Sequence, residues 1–204
     1  MGTTSELPER QDGTVTTISG YGITATLPAA WEGRITKLAP VAPAAAAGRA
    51  IDAGRVQAAA VATGTAPGTS APAASLATAP QAEVTLPFLH LANFPLPPSR
   101  GAFGTGAVEL MKGTDSLIVL LEYSVDSLGT ALFAPAGAPR VLYPREFHPR
   151  ALQRILAGQA GYQAFFTESG RPFSLYVVLG SLAQAVTSVP GVNRVLAGLR
   201  IDKA

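Results

Sequence analysis

Residues 15–19 and 23–27 alternate apolar side chains with threonine or alanine on either side of Gly20, Tyr21 and Gly22, and this predicts two short strands joined by a tight turn. Trp31 follows Pro28, and residues 33–38 predict a third strand through Ile35 and Leu38. Between residues 39 and 82 the pattern disappears. Alanine dominates there, proline, glycine, threonine and valine fill most of the rest, and only Arg49, Asp52 and Arg55 carry charge. Such a segment buries too little surface to offset its ordering entropy, so disorder is expected, with alanine enough for a transient helix over residues 48–63.

Periodicity returns at residues 84–93, where Val84, Leu86, Phe88, His90 and Ala92 share one face of a predicted strand. Residues 109–111 and 117–123 read as a strand pair around Lys112, Gly113, Thr114 and Asp115. The unbroken apolar run 117–121 marks a central strand buried on both faces. Pro149 in a first turn, Leu152, Ile155 and Leu156 at helical spacing, and Gly158 as a cap predict a short amphipathic helix. Residues 162–168 and 173–180 form the clearest hairpin, its loop running from Ser169 to Pro172. Residues 181–201 carry a three-to-four spacing broken at Pro190, which predicts two short helices or one kinked helix on the sheet.

These elements make an α+β domain with an antiparallel sheet of about six to seven strands and two to three short helices. Residues 1–13 form a disordered start, residues 14–38 and 83–202 a single domain, and residues 39–82 a disordered insertion. The first ordered piece is too short to fold alone. Lengthening a loop from roughly 5 to 40 residues adds only about 2 kcal/mol of closure entropy, which a typical domain tolerates.

Composition narrows the function. With 204 residues, 48% of them hydrophobic, there is material for one domain of ordinary size. The isoelectric point near 9.2 suggests a polyanion partner, but the formal net charge is only +2. Net charge is what attracts nucleic acid, so nucleic acid is not the expected partner. No cysteine is present, which removes disulfides, thiolate metal sites and cysteine nucleophiles and fits a reducing, cytoplasmic compartment. The polar first twelve residues lack the apolar core of a secretory signal. The apolar runs 117–121 and 175–180 fall far short of the roughly 20 residues a bilayer crossing needs.

The opening GYGITATLPAAWE, a strand running into Leu27, Pro28 and Trp31, and the closing VNRVLAGLRI, a helix followed by a short segment at Ile201, resemble the two ends of Mog1/PsbP-like domains. The resemblance implies an antiparallel sheet covered by helices and used mainly for binding and assembly. No site motif matches, so it carries over no functional residue, and no cofactor is expected.

Candidate chemistry is sparse. Gly101, Gly104 and Gly106 have neither the spacing nor the following Lys-Ser/Thr of a phosphate loop and read as a turn. His90 and His148 have no second ligand at metal spacing and read as structural. Serines 124, 169, 174 and 181 sit in no nucleophile elbow. Glu122, ending an apolar strand, reads as a solvated carboxylate paired with an arginine, or else as half of an acid–base pair. The stretch PRVLYPREFHPRALQR interleaves Arg140, Arg145, Arg150 and Arg154 with Phe147 and other aromatics, the composition of a protein contact surface. A non-enzymatic interaction or accessory protein, part of a larger cytoplasmic complex such as a tail-like or secretion apparatus, is therefore the leading expectation. The alternatives are a carrier of a small apolar ligand, which requires an enclosed cavity, and an enzyme whose pocket brings together Glu122, His90 or His148.

Overall fold

A computed structural model of the chain describes residues 15–37 and 86–203. The expected disorder of residues 1–13 and 39–82, and the transient helix at 48–63, lie outside the described residues.

Strands β1 (Thr16–Gly20) and β2 (Ile23–Leu27) form the expected hairpin. Its two turn residues, Tyr21 and Gly22, both have positive φ (54° and 69°), as a two-residue type I′ turn requires. A turn closed by the Trp31 N–H on the Pro28 carbonyl leads into β3 (Glu32–Lys37). Then follow β4 (Pro87–Ala92), β5 (Ser116–Glu122), β6 (Ala160–Glu168), β7 (Arg171–Leu179), one helix, α1 (Ala185–Ala197), and β8 (Leu199–Ile201).

The strands form two antiparallel sheets rather than the one expected. One has the order β1-β2-β8; the other has the order β3-β4-β5-β7-β6, which places the apolar run of β5 at its centre. Strand β3 from the first stretch of chain pairs along its whole length with β4 from the second. Among the described residues there are eight strands against the expected six to seven: Leu199–Ile201, expected within the terminal helical segment, pairs with β2 as a strand, whereas residues 109–111 do not form one.

Both faces of the five-stranded sheet are covered, which explains why every residue of β4 and β7 is buried. On one face, Leu89, Leu91, Ile118, Leu120, Leu175, Val177 and Leu179 pack with Ile23, Ala25 and Leu27 of β2 and with Val189, Val192, Val195 and Leu196 of α1. Each buried leucine, isoleucine or valine among them contributes about 1.5–3 kcal/mol. On the other face, Ala92, Leu117, Val119, Tyr176 and Val178 meet Phe94, Leu96, Phe103, Ala107 and Met111 from the long β4–β5 connection. Gly33 permits the close approach of β1 to β3, since a Cβ there would lie 2.4 Å from Ile18 Cδ1 and 2.5 Å from Leu91 Cδ2.

Three expected elements differ. Residues 109–111 are not a strand; Val108–Leu110 is a 3-10 turn, because the Glu109 carboxylate accepts the Gly106 N–H at 2.6 Å and folds the chain back on itself. Of the helix expected over residues 149–156 only the 3-10 turn Pro149–Ala151 forms. His148 instead exchanges two backbone hydrogen bonds with Gly161, and the Gln153 N–H donates to the Tyr176 hydroxyl at 3.0 Å, a donor that a helix would need. The β6–β7 loop is two residues, Ser169 and Gly170, rather than four, so Arg171 and Pro172 belong to β7. At the end of the chain, a 3-10 turn (Leu182–Gln184) and then α1 form, with Pro190 inside the helix.

Candidate functional site

Among the residues expected to form a contact surface, Arg140 is a clamp. Its Nη2 meets Glu168 Oε1 at 2.6 Å and its Nη1 donates to the Leu196 and Leu199 carbonyls at 3.2 and 2.5 Å, where α1 gives way to β8. Phe147, only 2% exposed, is in the core and presents nothing to a partner. Arg145 lies over the exposed Tyr143 ring at 4.6 Å. Arg150 is exposed, and Arg154 makes a loose pair with Glu109 at 3.6 Å. The stretch is therefore a strap across the core face. Leu142 exchanges two hydrogen bonds with the Asn193 side chain of α1, and Arg145, Arg150 and Arg154 remain on the outside.

Glu122 has the expected arginine partner, but in the interior. Arg171, 5% exposed, donates through Nε and Nη2 to its two oxygens at 2.8 and 2.6 Å. The same guanidinium donates to the carbonyls of Tyr21, Gly22 and Asp202, so it ties the first hairpin and the end of β8 to the five-stranded sheet. Every N–H direction of a buried charge is used, the condition under which burial is tolerable.

His90 lies on the opposite face of the sheet from Glu122. It pairs in register with Val119 of β5, whereas Glu122 pairs with Phe173 beside Arg171. His148 is exposed beyond β6. The three residues considered for acid–base chemistry do not converge.

His90 does organise a polar site. Its ring is fully buried, edge-on to Phe88 with centroids 5.0 Å apart. Arg100 Nε lies 3.2 Å from Nδ1 and can only donate, so Nδ1 accepts and Nε2 carries the hydrogen, which goes to the Ala102 carbonyl at 3.0 Å. Burial, with the Arg100 charge beside it, lowers the pKa of His90 to about 4, so the ring is neutral at pH 7. Arg100 Nη1 donates to the Pro97 carbonyl at 2.9 Å. Arg34 stands directly across from His90 on β3. Burial and the Arg34 charge lower the Arg100 pKa, opposed by Glu32, whose carboxylate accepts the Leu96 N–H.

Arg34 and Arg100, with Ile35, Thr36, Phe88 and Pro98, line an open groove of about 420 Å³. A second hollow of about 500 Å³, between Arg140, Glu168 and β8, is also open to solvent. Neither is the enclosed apolar cavity a lipid-type carrier requires. Among the described residues no group of three or more His, Asp or Glu side chains is placed to hold a metal ion. No helix among them is long and apolar enough to cross a membrane.

Sequence reading missed Arg34 and Arg100. The available signal was His90 inside an apolar strand, because a buried imidazole needs partners for both nitrogens; which residues supply them is a non-local question. Comparisons with protein-family models, with curated proteins and with solved structures found no match to this chain.

Proposed function

We propose that the protein is a non-enzymatic interaction or accessory protein, an α+β domain that holds another protein along the β3 side of its five-stranded sheet within a larger cytoplasmic assembly. The observation that carries this reading is the cationic groove beside β3. Arg34 and Arg100 border it together with the Phe88 side chain. Among the described residues β3 pairs only with β4, so its other side is an edge of the sheet. Edges of this kind accept an extended segment through main-chain hydrogen bonds, and flanking charge selects which segment.

A Mog1/PsbP-like domain remains the family reading. What supports it is that the opening motif forms the β1–β2 hairpin and the Trp31 turn, and that the closing motif forms a helix followed by a strand paired with β2.

The test is affinity purification of the full-length tagged protein, with mass spectrometry, at about 0.15 M salt, where exposed charges still act over roughly 8 Å. A stoichiometric partner retained by wild type and lost from an Arg34→Glu variant of unchanged thermal stability supports the β3 side. Loss from Arg145→Glu/Arg150→Glu instead moves the interface to the strap. Recovery of the protein alone overturns the reading.

A further inference from the structure

Arg100 is held more firmly than an exposed arginine needs. Its Nε is fixed by His90 and its Nη1 by Pro97, and since the guanidinium is planar these two bonds also fix the direction of Nη2. Nη2 has no hydrogen-bond partner among the described residues. The histidine that fixes it is itself immobilised by the Ala102 carbonyl and by full burial.

Arg34 reaches the same groove from the neighbouring strand, directly across from that histidine. Two guanidiniums therefore border one open hollow with an aromatic floor. No carboxylate lines the groove itself; Glu32, whose carboxylate accepts the Leu96 N–H, lies close enough to offset part of the charge on Arg100. Like charges held together repel, and an anion between them relieves the repulsion while accepting charge-assisted hydrogen bonds from both.

We propose that the groove between Arg34 and Arg100 is an oxyanion-binding site that takes a carboxylate or phosphate group. That the group is carried by a bound protein segment rests on the interaction reading above; the site itself does not. The fork of Arg100, pre-oriented by His90, supplies geometry, and Arg34, the more exposed of the two, supplies charge.

The experiment is a titration of the ¹⁵N-labelled full chain with succinate and, separately, inorganic phosphate, at constant ionic strength, following the Arg100 Nε–H and His90 ring signals. Saturable shifts with a millimolar Kd are expected, weakened about tenfold or more in Arg34→Gln, because a charge-assisted hydrogen bond to each anion is lost. An Arg150→Gln control keeps wild-type affinity. Saturation with succinate alone assigns the site to carboxylates, with phosphate alone to phosphate groups. Absence of saturation with both anions, or equal affinity in Arg34→Gln, overturns the proposal. If both anions fail and a β3-dependent partner is still recovered, the site falls and the interaction reading stands; the reverse result separates them the other way.

Discussion

Arg171 and Glu122, from neighbouring strands, face each other in a two-point grip, Nε on Oε1 at 2.8 Å and Nη2 on Oε2 at 2.6 Å, with the Phe173 ring under the guanidinium at 5.1 Å. Removing one side of such a pair strands the other charge in the interior. Arg171→Met is therefore expected to destabilise by about 3–5 kcal/mol, and Glu122→Met added to it to recover part of that loss. Urea unfolding of both variants measures this. A single variant as damaging as the pair would show that the contacts to Tyr21, Gly22 and Asp202, rather than the ion pair, hold the structure.

The same arginine dictates its neighbour. Gly22 has φ +69°, and a Cβ there would lie 2.8 Å from Arg171 Nη1. Gly22→Ala is expected to cost about 1–2 kcal/mol from the left-handed backbone alone, and more from the contact. In an Arg171→Met background the contact part should vanish, so the two substitutions should be non-additive. Additive losses in a double-mutant cycle would leave only the backbone cause.

His90 gives stability a pH dependence. Its folded pKa is about 4 against an ordinary 6.5, so the unfolded chain takes up the proton first as pH falls. The stability it confers is complete above pH 6.5, declines between 6.5 and 4, and levels off below, a change of about 3 kcal/mol. Carboxylates contribute in the same range, so the check is the difference between wild type and His90→Gln. The wild-type fall from pH 7 to 4.5 should be the steeper.

Pro190 is the sixth residue of α1 and exposed, and it leaves the carbonyl of exposed Val186 without its helical donor. Pro190→Ala should stabilise by about 1–3 kcal/mol, because the interior penalty of proline is removed while the buried Val189, Val192 and Leu196 stay in place. Thermal unfolding measures the gain. An unchanged midpoint would mean that the first turn of α1 is already independent of the rest.

The two hairpins and the central strand β5 could be read from sequence because each depends on neighbours: turn residues able to take positive φ, flanked by alternating or unbroken apolar runs. What failed was decided at a distance. The helix expected at 149–156 yielded to the Tyr176 hydroxyl and to pairing with Gly161. Phe147 read as part of a contact surface because aromatics among arginines have that composition, yet the strap turns it inward while Tyr143 and Arg145 stay outside. Arg171 reads as a loop residue in sequence, and a hairpin two residues tighter carries it into the core. Arg34 and Arg100 are 66 positions apart in number and share a groove only because β3 pairs with β4 in the register that sets Arg34 beside His90.

Strand β2 is bordered on one side by β8, and its turn is gripped by an arginine 150 residues further along the chain. During synthesis at roughly 5–20 residues per second, the opening hairpin therefore leaves the ribosome about 8–30 s before the groups that seal it exist. Over that interval Ile23, Ala25 and Leu27 have neither α1 nor β8 against them. The apolar face of the opening hairpin is thus completed only once β8 has been translated.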